Sequence, residues 1–258
     1  MRLHKNLLSM FRNIPPVTKN LLILNVLFYL GSLLLSSKGY DMNNLLGTHY
    51  FGTVFFEPYQ VITHMFMHSL VDPMHIIFNM LLLFMFGAHL ERIWGAKRYF
   101  IFYIASGLGA YILYSSIGVY NIFELKNAIV ADGYDLTELN HQIAAQNFEA
   151  IKLHSDASQI IIQEYVDYNF STLVGASGAI FGLLAGFALL FPNTELMLIF
   201  PPIPVKAKYL IGGYIAFEIY NSIYKPGDTV AHLAHVGGAI VGAILVLVWK
   251  KKDRKNFY

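Results

Sequence analysis

The chain has 258 residues, of which 56% are hydrophobic and only 13% are charged, and its mean hydropathy is +0.50. An ordinary soluble domain is excluded, because its surface would need more charged residues. The net charge of +2 and the sequence pI near 8.6 argue against nucleic-acid binding. Since the chain has no cysteine, disulfides and thiolate metal ligands are also excluded.

Apolar runs predict an all-α fold, a bundle of six membrane-spanning helices in a polytopic membrane protein. The runs lie at 20–37, 74–90, 99–119, 172–191, 209–224 and 230–249. Three of them reach the ~20 residues that cross a hydrocarbon core. No small-residue cleavage site follows the first run, so we expect a retained span rather than a signal peptide.

The two ends of the chain differ from this central part. Residues 1–16 mix apolar and basic side chains and end at two prolines. A short amphipathic helix on the inner membrane surface and a disordered arm fit this pattern equally well. At the other end, residues 251–258 form a basic tail. Between these ends we expect one membrane domain, residues 17–250.

The positive charges predict the orientation of the chain. Most of the 18 lysines and arginines lie in the N-terminal arm, the turn at 91–98, residues 206–208 and the C-terminal tail. Six spans that start inside would leave these segments on one side, so the positive-inside rule places both termini in the cytoplasm. Most of the 16 acidic residues lie in the alternate, outward-facing loops. The predicted location is the bacterial inner (plasma) membrane.

Two of the outward segments have distinct compositions. The first, 38–73, is rich in aromatic residues, so we expect it to pack back against the bundle at headgroup depth. The second, 120–170, lies between spans three and four, is acidic, and carries apolar residues at helical spacing, such as Ile143 and Ile151. This pattern predicts a water-exposed, extracytoplasmic helical insertion.

Small residues predict which spans pack together. Glycines recur every four residues in spans four and six, at Gly178, Gly182 and Gly186 and at Gly238 and Gly242. Such faces let helix backbones approach closely, so we expect these two spans to be in contact. Ser177, His235 and Asn79 each lie five residues beyond the predicted start of spans four, six and two. We therefore expect all three at one depth, about 7–8 Å below the outer boundary.

These polar residues form a pattern suited to acyl transfer. A serine hydroxyl becomes a nucleophile when a base takes its proton, and a neutral imidazole suits that role near pH 7. His75 and Asn79 share one helix face, because they are four residues apart. With the backbone N–H of Ser177, their side chains are candidate donors to a developing oxyanion.

The sequence resembles the rhomboid intramembrane serine proteases over about residues 17–250. The motifs are His75-x-x-x-Asn79, Gly175-Ala176-Ser177-Gly178 and Ala234-His235-x-x-Gly238-x-x-x-Gly242. The resemblance implies a dyad without an aspartate, in which Ser177 is the nucleophile and His235 the general base and acid. It also implies that His75, Asn79 and Gly175 surround the oxyanion. The implied reaction is hydrolysis of peptide bonds in or near transmembrane helices of other membrane proteins, without a cofactor.

Two features depart from the family pattern. Tyr59-Gln60 stands where many members carry Trp-Arg in the first outward loop, so the anchoring of that loop is expected to differ. The insertion at 120–170 is much longer than the expected short connection, and it could cap the site or select substrates. Neither departure removes a residue of the implied dyad.

Two other functions remain open. The chain could be a catalytically silent relative that binds membrane proteins; such a relative is expected to have lost a residue of the dyad, and both are present. Taken singly, Ser177 could be a packing serine and His235 a structural polar residue. Alternatively, Glu218 and the histidines could form the proton path of a small transporter. Glu218 itself could be neutral, water-facing or paired with Asn221.

A metal site is a further alternative. Several histidines lie three or four residues apart, namely His64, His68, His75, His232 and His235. The chain has no His-Glu-x-x-His motif, and the sequence places no carboxylate with these residues, so we expect no metal. We expect backbone hydrogen bonds to satisfy His64, His68 and His232 instead. The natural substrate and the oligomeric state cannot be predicted.

Overall fold

The computed structural model describes residues 13–198, 201–224 and 229–252. Most of the predicted N-terminal arm, 1–16, and most of the basic tail, 251–258, lie outside the described residues.

The described chain is mainly helical. Helix α1 is Pro16–Ser36, and the loop after it contains α2 (Met42–Leu46), α3 (Gln60–Thr63) and a 3-10 turn, His64–Phe66. Next, α4 (Pro73–Leu82) continues through a π-helical turn, Leu83–Gly87, into α5 (Ala88–Ala131). The insertion holds α6 (Leu136–Ala144), a 3-10 turn (Phe148–Ala150) and α7 (Asp156–Phe170). The remaining elements are α8 (Ser177–Leu190), β1 (Glu195–Met197), β2 (Pro204–Lys206), α9 (Ala207–Tyr224) and α10 (Thr229–Lys252).

Three described segments are long and apolar enough to cross a membrane: Pro16–Ser36, Pro73–Ala131 and His232–Lys252. The shorter helix Ser177–Leu190 is also apolar. The segment Pro73–Ala131 contains two of the predicted spans, which are separated at Gly95. Gly95 has φ +76°, a backbone conformation that side chains with a Cβ rarely adopt, so the helix breaks there. This break lies within the predicted turn at 91–98.

The predicted start of the fourth span is wrong. Apolar residues continue back to Thr172, but the helix begins at Ser177. Gly175 has φ +126°, which no helical residue has. The strand-like segment before it pairs with the first loop, where Thr48 N donates to Leu173 O at 3.0 Å and Leu173 N donates to Thr48 O at 2.9 Å. Ser177 is therefore the first residue of its helix, and the expected five-residue offset does not hold.

Small residues bring α8 and α10 into backbone contact, as predicted. A Cβ added at Gly238 would collide with the carbonyl oxygen of Gly178, and one added at Gly242 would lie 2.6 Å from the Cα of Gly182. On its other side α8 meets α5, where a Cβ added at Gly178 would collide with the side chain of Ala110. Helix α8 is buried along almost its whole length and lies at the centre of the bundle.

The aromatic loop between α1 and α4 packs back on the bundle, as predicted. Tyr50 is buried, and its ring stacks on Tyr114 of α5 with centroids 4.3 Å apart. The buried amide of Gln60 takes over the anchoring of this loop. Its Oε1 accepts from Glu57 N at 3.0 Å and His49 N at 3.3 Å, and its Nε2 donates to Phe55 O at 3.1 Å. One uncharged side chain thus organises the segment that precedes α4.

The insertion is helical, as predicted, and packs on an extension of α5. Helix α5 runs to Ala131, beyond the predicted end of the third span at residue 119. Ile129 on this extension belongs to one buried cluster with Ile143 of α6 and Tyr165 of α7. The Tyr165 hydroxyl donates to Asn140 Oδ1 at 2.8 Å. The insertion therefore shares one buried cluster with α5.

A buried carboxylate caps the start of α1. Glu91, in the first turn of α5, accepts from Val17 N at 2.9 Å, and from Thr18 N at 2.7 Å and Thr18 Oγ1 at 2.8 Å. Helix starts leave backbone N–H groups without intrahelical partners, and a carboxylate is favoured there. Glu91 therefore ties the beginning of α1 to the beginning of α5.

Candidate active site

Ser177 and His235 are in contact at one end of the α8–α10 pair. Ser177 Oγ lies 2.9 Å from His235 Nε2, and both side chains are partly exposed. Ser177 occupies the first position of α8 because the positive φ of Gly175 ends the preceding extended segment. The glycine contact between α8 and α10 lets the two side chains meet, as the sequence predicted.

Two neighbours hold the imidazole of His235 in place. The ring of Phe181, one turn after Ser177, stacks on it with centroids 4.2 Å apart and an interplanar angle of 9°. On the ring edge away from Ser177, His235 Nδ1 lies 2.9 Å from Glu218 Oε2. A carboxylate accepts hydrogen bonds, so this contact favours the tautomer with the proton on Nδ1. Nε2 is then the acceptor for the hydroxyl of Ser177.

Glu218 is the residue that the sequence analysis failed to place. It lies on α9, is buried, and its Oε2 also meets His232 Nδ1 at 2.5 Å. The expectation that no carboxylate accompanies the histidines is therefore wrong. The observed partners of Glu218 are His232 and His235, and among the described residues no hydrogen bond joins it to Asn221. In the sequence, Glu218 was visible only as a charged residue that interrupts the fifth apolar run, 209–224. Its partners depend on how α9 is rotated against α10, which hydropathy does not encode.

Among the described residues, one cluster could hold a metal ion, and it consists of Glu218, His232 and His235. One ligand atom of each lies within 4.8 Å of the others. The observed contacts are hydrogen bonds from two imidazole Nδ1 atoms to one carboxylate oxygen. The absence of a metal stays a prediction.

His75 also lies close to Ser177, beside Gly175. Helix α4 begins with Asp72 accepting from Met74 N at 3.0 Å and with Pro73 in its first turn, which places His75 at the exposed end of the bundle. A Cβ added at Gly175 would lie 3.0 Å from His75 Nε2 and 3.5 Å from Ser177 Oγ. The missing side chain of Gly175 thus leaves open the space between His75 and Ser177.

The tautomer of His75 follows from its other nitrogen. Ser69 N donates to His75 Nδ1 at 3.3 Å, so Nδ1 carries no proton and Nε2 carries one. The Nε2–H group therefore faces the space beside Ser177.

Asn79 is less directly placed than predicted. Its side chain is buried on the same helix as His75, but its Nδ2 donates to His75 O at 2.7 Å. Within the described residues, no hydrogen bond joins Asn79 to Ser177. One of the two N–H bonds of its amide is therefore already used within α4.

The two histidines of the first loop behave differently from each other. His64 Nδ1 bonds Gln60 O at 2.9 Å, as expected, and burial lowers the pKa of this imidazole to about 4. Burial, reinforced by nearby His75, also lowers the pKa of His68 to about 4. Neither ring nitrogen of His68 makes a well-formed hydrogen bond among the described residues, and its backbone interaction is a weaker one with Phe66. Both residues are neutral at pH 7.

Comparisons with known proteins show which family the chain resembles. The family model of the Rhomboid domain matches residues 55–124 and 137–252, which include Ser177, His235, His75 and Asn79. The rhomboid protease AarA of Providencia stuartii is similar, with 28% identity over 192 residues that cover 72% of this chain and 53% of that protein. The chain thus spans about half the length of this curated relative.

Proposed function

The chain belongs to the rhomboid family, and from this premise we propose that it is an intramembrane serine endopeptidase. Its substrates would be membrane proteins, cut in or near their transmembrane helices. The observation that carries the proposal is the 2.9 Å contact between Ser177 Oγ and His235 Nε2. Its relative AarA is a rhomboid protease, which supports the same proposal.

The mechanism has two half-reactions. His235 Nε2 takes the proton of Ser177 as Oγ attacks the scissile carbonyl carbon, and the imidazolium then gives that proton to the leaving amine as the C–N bond breaks. In the second half-reaction His235 takes a proton from water as the water oxygen attacks the carbonyl carbon of the ester. The imidazolium then returns this proton to Ser177 Oγ as the ester C–O bond breaks, which releases the new carboxylic acid, and the acid ionises in water. No cofactor or metal takes part in these steps.

The oxyanion needs hydrogen-bond donors on the side of Ser177 away from His235. The Nε2–H group of His75 has the required orientation, and Gly175 keeps the space clear. The backbone N–H of Ser177 is available because α8 has no side-chain cap at its start. Asn79 is the third candidate, through the second N–H of its amide.

We predict that His75→Ala lowers kcat by about 10²-fold with little change in KM. Removal of one oxyanion donor typically lowers kcat by about 10²–10³-fold. The measurement is steady-state cleavage in detergent micelles. His141→Ala, a change of an exposed residue in the insertion, is the matched control and should retain full activity. An unchanged kcat in a folded His75→Ala protein would remove His75 from the site.

The proposed topology has six spans, with both termini in the cytoplasm of a bacterial cell and the site open to the outer face. A helical peptide bond is shielded by its own hydrogen bonds, so a substrate helix must unwind locally to expose its carbonyl. Substrates with helix-weakening residues near the cut should therefore be favoured.

The test is reconstitution of the purified chain in lipid vesicles with a single-span reporter protein. We expect cleavage that chelators leave intact. Loss of cleavage with a chelator would instead support a metal site at Glu218, His232 and His235. Binding of the reporter without cleavage would support a silent relative, and proton flux without cleavage would support a transporter.

A further inference from the structure

We propose that Glu218 is a third member of the active site, so that this chain uses a Ser177–His235–Glu218 triad rather than a dyad alone. The inference rests on the proposed function and adds a positioning residue to it. Its observation is independent of Ser177: His235 Nδ1 lies 2.9 Å from Glu218 Oε2 on a different helix, α9.

The three side chains form one continuous line of hydrogen bonds. Ser177 Oγ lies 2.9 Å from Nε2 on one edge of the imidazole, and Glu218 Oε2 lies 2.9 Å from Nδ1 on the other. The stacked ring of Phe181 prevents the imidazole from turning about this line. A carboxylate that accepts from Nδ1–H selects the tautomer in which Nε2 is the base.

The charge of Glu218 is suited to the same step. When Nε2 takes the proton of Ser177, the imidazole becomes positive beside a carboxylate whose side chain is only 4% exposed. Coulomb attraction is stronger away from bulk water, so this anion stabilises the imidazolium. Glu218 keeps its negative charge throughout, and no proton passes to it.

His232 is the second hydrogen-bond partner of the same oxygen. It lies three residues before His235 on α10, and its Nδ1 meets Glu218 Oε2 at 2.5 Å. Two donors from one helix fix the position of a carboxylate carried by another. Within residues 13–198, 201–224 and 232–252, Tyr214 on α9 and His75 on α4 are further titratable groups near this trio.

The experiment compares Glu218→Gln with wild type in the vesicle assay. The substitution keeps the shape of the side chain but removes its charge, so kcat should fall by about 10²-fold or more, as when the acid of a serine protease triad becomes an amide. The acid limb of the kcat/KM profile should move to lower pH, because the imidazolium has lost its anion. A purely structural role would not move this limb.

The matched control is Glu195→Gln, the same chemical change at an exposed position of β1. It should leave both kcat and the pH profile unchanged. A wild-type kcat and an unmoved acid limb in Glu218→Gln would overturn the triad. If Ser177→Ala still abolishes cleavage in that case, the proposed protease activity stands without it.

A second measurement does not depend on how Glu218→Gln folds. In Ser177→Ala protein with ¹⁵N-labelled histidine, the His235 resonances should report the proton on Nδ1. Their assignment comes from a His235→Gln spectrum. If the spectrum places the proton on Nε2 of His235 instead of Nδ1, the triad is overturned, even if every Glu218 variant fails to fold.

Discussion

Ser177→Ala and His235→Ala should each reduce reporter cleavage by about 10⁴-fold or more. The hydroxyl of Ser177 supplies the only proposed nucleophile, and His235 Nε2, 2.9 Å away, is its only proposed base. Neither change should disturb the bundle greatly, because both side chains are partly exposed at one end of it. Gel analysis of cleaved reporter and thermal melting in detergent measure these two effects.

The double variant is the sharper test of this pair. Residues that act as one unit are strongly non-additive, so removal of both should cost about as much as removal of either one. Ser116→Ala, an exposed serine bonded to its own helix, is the matched control and should cleave normally. Residual cleavage that falls further in the double variant would show that the two residues act separately.

Gly238→Ala should have the second large effect, this time on folding. The added Cβ would collide with the backbone carbonyl of Gly178, which cannot move away as a flexible side chain could. Overpacking usually costs about 1–3 kcal/mol, and contact with rigid backbone should bring the loss to about 3 kcal/mol or more. Activity should fall with it, because Gly238 lies three residues after His235 on the face that contacts α8.

Thermal melting and reporter cleavage of the same preparation measure both consequences. Gly212→Ala is the matched control, since an added Cβ there would meet nothing within 4 Å. Alanine is the better helix former, so this variant should be as stable as wild type or more stable by up to about 1 kcal/mol. A Gly238→Ala protein with wild-type melting would mean that the α8–α10 contact is looser than described.

The sequence predicted the parts of the fold that depend on local pattern. Apolar runs located the long helices, and glycines at four-residue spacing identified the α8–α10 contact that joins Ser177 to His235. The start of α8 could not be found in this way, because Thr172, Leu173 and Val174 are as apolar in an extended segment as in a helix. The positive φ of Gly175 and the pairing of Thr48 with Leu173 decide that boundary.

The parts of the site that escaped prediction depend on how distant elements are oriented. Glu218 meets His235 only because α9 and α10 have a particular rotation about their axes. Gln60 replaces an expected arginine with a neutral amide, and its role becomes visible only when the loop closes around it. Asn79 was placed on the correct helix, but its amide donates to the backbone carbonyl of His75, one turn earlier in that helix.

The cap at the start of α1 has a consequence for biosynthesis. A ribosome makes the chain from its N-terminus, and Glu91 follows Thr18 by 73 residues. Helix α1 therefore enters the membrane with the N–H groups of Val17 and Thr18 still lacking their carboxylate. The hydrogen bonds between α1 and Glu91 can form only after the second span has been translated. A chain truncated before Glu91 should therefore leave α1 inserted in the membrane but not bound to the start of α5.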